Sequence, residues 1–180
     1  AQDTALPLAK RWAIVGHSEG AAAAMSAARR ASEYSRGTGL DYRGVVATGV
    51  PANLEHVIWQ IGPGVPPVAL PVGLTAYAAA ILAGFVDARP EFDSVRYITA
   101  AGRRALDLAN TNCTLQLAAA LKNDNVADWF TRPIASIPGI KPALIDYLGV
   151  PYRGYNRPIF MAAGLIEAAV PIPAPLRLAR

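Results

Sequence analysis

Trp12-Ala13-Ile14-Val15-Gly16-His17-Ser18-Glu19-Gly20 is the stretch that orders the rest of the chain. Its first four residues are apolar and predict a short buried strand. Gly16-x-Ser18-x-Gly20 predicts a sharp turn, and the alanine-rich run from 21 to 30 predicts a helix leaving it. Strand, tight turn and helix around a central serine form the setting of a nucleophile elbow, in which the serine is held up at the strand end. Gly16 and Gly20 are expected where a side chain would collide as the backbone folds back. The helix points unpaired N–H groups toward Ser18, so the Glu19 N–H is placed to take charge developing on a substrate oxygen. An ordinary glycine turn is the competing reading of the same residues.

Composition narrows the function classes. The chain of 180 residues is 53% hydrophobic and only 17% charged, which suits a substantial core and argues against disorder. Its net charge is +4, but the basic residues come in ones and twos, as in Lys10-Arg11, Arg29-Arg30 and Arg103-Arg104. No basic face with interleaved aromatics emerges, so no nucleic-acid partner is expected. Cys113 is the only cysteine; it has no partner for a disulfide within the chain and reads as a buried thiol. Two isolated histidines and one cysteine lack metal-ligand spacing, and no lysine follows the glycines in phosphate-loop fashion. Neither a metal nor a cofactor is expected.

Beyond the elbow helix, Gly37-Thr38-Gly39 marks a stop, and residues 43–49 predict a second strand. Strand, helix and strand at this spacing imply a parallel βαβ unit, hence an α/β fold. Residues 57–86 then carry no formal charge. Their length would suit a membrane span, but Pro63, Pro66, Pro67 and Pro71 would break a continuous helix. An irregular apolar loop followed by a helix over about 75–84 is expected, facing a core, an acyl chain or a lipid interface. Thr99 is a candidate N-cap for a helix through Leu108, and Thr111 or Asn112 for another through Leu121. Between 128 and 155, where aromatics and prolines mix, residues 145–148 are the most helix-like. A third strand is predicted at 158–164, and Glu167 leaves its carboxyl end. The predicted organisation is therefore an α/β core over 1–50, a mostly helical insertion over 51–156, and a return to the core over 157–180. The insertion is too long for a simple connection and reads as a cap.

At these residues the chain resembles the α/β-hydrolase superfamily, and within it the secretory lipase branch with its large helical cap. The resemblance rests on residues 12–20, on Tyr42-Arg43-Gly44-Val45-Val46-Ala47-Thr48-Gly49-Val50-Pro51, and on residues 157–171. It implies a parallel sheet with a cap insertion, and a triad ordered Ser, then Asp or Glu, then His. Ser18 takes the nucleophile position. Gly164-Leu165-Ile166-Glu167 matches the Gly-x-x-Asp pattern of the acid with a glutamate in its place; a plain surface carboxylate is the alternative. The family's histidine comes after the acid, but here the only histidines are His17, beside the nucleophile, and His56, at the entrance to the insertion. A structural role is the simpler reading of each. Without an imidazole, the Ser18 hydroxyl stays a poor nucleophile.

The early strands of the family and its second oxyanion donor have no counterpart in these residues. The resemblance thus implies the middle-to-late part of a longer hydrolase, with the missing N- and C-terminal parts of the same fold as partners; a degenerate, non-catalytic homologue is the alternative. The expected activity is hydrolysis of a carboxylic ester or lipid through an acyl-enzyme on Ser18, outside the cell by resemblance. Binding of an apolar ligand without turnover is the runner-up, and contact with a lipid interface through 57–86 is a further expectation.

Overall fold

The computed structural model describes residues 8–64 and 73–164. These fall into two compact units that divide at Asn53/Leu54 and Gly149/Val150. The first is an α/β unit and the second is helical, and the chain enters and leaves the helical unit once each.

The α/β unit has three parallel strands, β1 (Arg11–His17), β2 (Asp41–Thr48) and β3 (Ile159–Ala162), in the order β1-β2-β3. The 16-residue helix α1 (Glu19–Tyr34) links β1 to β2 and packs on both. Its buried face is Ala21, Ala24, Met25, Ala28 and Ala31, a stripe at helical spacing that rests on Tyr42, Val45 and Ala47 of β2. Small side chains let helix and sheet approach closely. At the start of β1, Trp12 packs its ring on Tyr42 and donates its indole N–H to Ser35 Oγ, which itself donates to Ala31 O. Ala52 and Val150 belong to the same core, which ties both chain crossings to the α/β unit. Tyr155 packs against it too, and burial pushes its phenol up to about 12.

Away from α1 the sheet is bare among the described residues. Val15 pairs in register with Val46, and Val46 with Phe160, yet Val15 is 75% and Phe160 62% exposed.

The helical unit contains α2 (Leu54–Ile58), α3 (Leu74–Ala88), α4 (Ala100–Thr111), α5 (Thr114–Ala120) and α6 (Ile140–Leu148), with short 3₁₀ turns between α3 and α4 and between α5 and α6. One apolar cluster gathers Ala79, Leu82, Ile98, Leu117, Leu121 and Trp129; a second gathers Phe85, Ile134, Ile137, Ile140 and Leu144. Thr99 caps α4 as expected, its hydroxyl accepting from the Gly102 N–H at 3.2 Å.

Several boundaries differ from the sequence expectation. α3 continues through Gly84 to Ala88, and the glycine leaves room for the Tyr147 hydroxyl, from which a Cβ there would lie 2.2 Å. Thr111 ends α4 instead of starting the next helix, since its hydroxyl donates back to Asp107 O and the Asn112 amide to Leu108 O. Cys113 is the N-cap residue of α5, and its thiol is exposed, not buried. α6 begins at Ile140, after Gly139 at φ 73°, with Pro142 tolerated in its first turn. No helix among the described residues is long and apolar enough to cross a membrane.

Candidate active site

Ser18 stands between the last residue of β1 and the first of α1, at φ 55° and ψ −125°. Two other described non-glycine residues have positive φ, Asn53 and Asp93, and these are types that tolerate the left-handed well. Serine is not one of them, and its ψ lies far from that well. Such a backbone persists only where the surroundings over-determine it. Here the Ser18 N–H donates to Thr48 O at 2.9 Å, and Ser18 O accepts from the N–H groups of Ala21 at 2.9 Å and Ala22 at 3.4 Å.

A serine before a helix ordinarily turns its hydroxyl back to cap the first turn. Ser18 makes no such side-chain bond and is exposed. With Ala21 and Ala22 bonded to Ser18 O, the Glu19 and Gly20 N–H groups remain as first-turn donors that have no acceptor within the helix. The turn therefore presents a hydroxyl beside the positive end of a 16-residue helix.

The two flanking glycines differ. A Cβ on Gly16 would lie 2.2 Å from Gly20 O and 2.7 Å from the Ala24 Cβ, so that position admits only glycine. A Cβ on Gly20 would meet nothing within 4 Å. The expected collision at Gly20 is thus absent, because the carbonyl of Gly20, and not its α-carbon, faces the strand end.

The two histidines belong to different units. His17 is exposed, with Nδ1 2.9 Å from Thr48 Oγ1. His56 sits in α2 of the helical unit, its Nε2 3.7 Å from Glu55 Oε1 and its ring edge-on to Trp59. Glu55 is buried, and its other oxygen, Oε2, has no hydrogen-bond partner among the described residues. Glu167 lies outside the described residues, as do residues 65–72 of the apolar stretch. Among the described residues no cluster of three His, Cys, Asp or Glu side chains could hold a metal ion. An open depression of about 470 Å³ along α4 is lined by Ala100, Arg103, Arg104, Asp107, Leu108 and Thr111. It holds none of the candidate catalytic residues, and Arg104 there is already bonded to both oxygens of Asp124.

Thr48 is the neighbour that sequence reasoning missed. It ends β2 directly beside His17 in the register, a pairing set by strands that lie far apart in the chain.

In comparisons with known proteins, neither a family model nor a curated protein matches the chain. Among solved structures, the chain is similar to LipA, a rice cell wall degrading esterase from Xanthomonas oryzae, with a TM-score of 0.64 at 13% identity. The match covers 96% of this chain and 47% of that one, so this chain spans about half the length of the esterase. The shared property is the fold: a small parallel α/β sheet accompanied by many helices.

Proposed function

We propose that the chain carries the nucleophile of a serine hydrolase acting on carboxylic esters. The observation behind this is Ser18 itself: an exposed hydroxyl, unused as a helix cap, on a backbone that serine adopts only under constraint. Ser18 Oγ attacks the acyl carbon, and the Glu19 N–H holds the resulting oxyanion. Collapse expels the alcohol and leaves an acyl-enzyme, which water hydrolyses. The proton of Ser18 needs an imidazole, and the partners of His17 and His56 are Thr48, Glu55 and Trp59. We assign the base to a histidine outside this chain's own pair, oriented by Glu167.

The helical unit is the cap in this reading, and its uncharged stretch 57–86 is the part assigned to an acyl chain or a lipid interface. The exposure of Val15 and Phe160 on either side of the half-buried Val46, among the described residues, supports further polypeptide of the same fold as a partner, since parallel sheets are covered on both faces. Secretion is part of the same proposal and rests on the esterase likeness alone.

A fluorophosphonate probe tests the central step. It is expected to label the protein at Ser18 and to leave a Ser18→Ala variant unlabelled. A folded full-length protein that stays unlabelled overturns the catalytic reading. A non-catalytic binder of apolar ligands is the second reading, since His17, the histidine of the α/β unit, has Thr48 and not Ser18 as its hydrogen-bond partner. Fatty-acid binding without turnover of p-nitrophenyl esters would favour it.

A further inference from the structure

We propose that Thr48 is a positioning residue for Ser18, clamping the Gly16-His17-Ser18 turn from the neighbouring strand and holding His17 with its proton on Nδ1. The proposal rests on Ser18 being the nucleophile, and it adds a residue and a protonation pattern to that site.

Three contacts converge on Thr48. Its carbonyl accepts the Ser18 N–H at 2.9 Å, its Oγ1 lies 2.9 Å from His17 Nδ1, and the same hydroxyl donates to Gly16 O at 3.5 Å. One residue of β2 thus touches each of the three residues that make the bend. The hydroxyl has a single proton, and a carbonyl can only accept. Both side-chain contacts of Thr48 are satisfied together only when the hydroxyl proton goes to Gly16 O and His17 Nδ1 is the donor to Oγ1. That arrangement, the one proposed, leaves Nε2 as an acceptor. An imidazole free in water prefers the opposite tautomer, which makes the pattern a signature of the clamp.

The clamp is itself anchored. Gly49 comes next at φ 60°, and its N–H donates to Ala162 O of β3 at 2.8 Å. A Cβ on Gly49 would stand 3.6 Å from His17 Cε1 and 4.0 Å from Ser18 N, so the backbone of 48–49 runs close along the turn. His17, Thr48 and Ala162 form one row across the three strands. Ser18 is therefore held from both sides, by β2 on its N–H and by α1 on its carbonyl. The Thr48 side chain fixes the residue before it, where the main-chain bond has no reach.

The test compares Thr48→Val, which keeps the shape and strand preference of threonine without the hydroxyl, with Thr48→Ser, which keeps the hydroxyl. Nitrogen-15 NMR of the neutral imidazoles reads the tautomer, and His56→Gln identifies the His17 signals, since the chain has two histidines. His17 is expected as the Nδ1–H form in the wild type and in Thr48→Ser, and to move toward the Nε2–H form in Thr48→Val. Fluorophosphonate labelling of Ser18 is expected to slow roughly threefold to tenfold in Thr48→Val, the worth of one net hydrogen bond, and to recover in Thr48→Ser. A wild-type His17 in the Nε2–H form, or a tautomer indifferent to Thr48→Val, overturns the clamp. A tautomer that moves while labelling stays at the wild-type rate overturns the positioning role. If the wild type itself is never labelled, the nucleophile reading and the positioning role fall together, while the NMR spectra still decide whether Thr48 holds His17.

Discussion

In the α/β unit, α1 meets the sheet mostly through Ala21, Ala24, Ala28 and Ala31, with Met25 the one large side chain of that face, whereas the helical unit fills its interior with Trp129, Leu121, Ile98 and Phe85. Alanines contribute little volume, so the first unit depends on how closely its backbones approach. Large side chains bury far more area, so the second depends on volume filled. Errors in the two units should therefore cost different things: clashes in one, cavities in the other. The division is not absolute, because Gly102 of α4 also presses on a backbone oxygen, that of Trp129, 2.4 Å from where its Cβ would be. Even so, the strained Ser18 sits in the unit with close backbone contacts, where a fixed turn can be held.

The largest effect should come from Trp129→Ala. Trp129 is 1% exposed, and its indole N–H donates to Asp124 Oδ2 at 3.2 Å. Truncation is expected to cost about 4 kcal/mol, the usual range for a large buried aromatic. Hydrogen exchange should accelerate first in α3, α4 and α5, with β1 and β2 keeping more of their protection. Equal loss of protection in the strands would break the comparison, because the two units would then unfold as one.

Next in size is Gly16→Ala. The added Cβ cannot fit 2.2 Å from Gly20 O, so strand and helix must separate, at an expected cost of about 3 kcal/mol. Gly20→Ala is the control two residues past the serine. With open space around its Cβ, it should stay within about 0.5 kcal/mol of the wild type or gain slightly from better helix propensity. Urea unfolding of both variants measures the gap, and similar midpoints would contradict the close-approach account of the α/β unit.

These contrasts mark where the sequence was informative. β1, the turn and α1 were legible because an apolar run, spaced glycines and an alanine stripe are each local signals. The Thr99 cap was legible for the same reason. Gly20 was misjudged because spacing shows that a glycine is present but not which of its atoms faces the neighbour. The reason for a glycine at 84 is Tyr147, 63 positions later in the chain (147 − 84), and no window around Gly84 contains it. Thr48 escaped notice because its closeness to His17 exists only in the register between strands. Glu167 falls outside the described residues, so the acid of the site remains an expectation of the family pattern.

The smallest effect is also the one that bears most directly on function. If Ser18 is held at φ 55° and ψ −125° against its own preference, replacing it by glycine should relieve the cost while alanine should not. Two terms oppose each other in Ser18→Gly. Relief of the strained backbone should be worth about 1–3 kcal/mol, and the extra freedom of glycine in the unfolded chain takes back about 0.5–1 kcal/mol. Ser18→Gly is thus expected to be more stable than Ser18→Ala by about 1 kcal/mol, read from paired urea or thermal unfolding. Both lack the hydroxyl and a side-chain cap, so the difference isolates the backbone. A Ser18→Ala variant that matches or exceeds the glycine variant would show that the turn stores no strain. Ser18 would then be an ordinary residue of a glycine turn, and the contrast between the two units would lose its functional meaning.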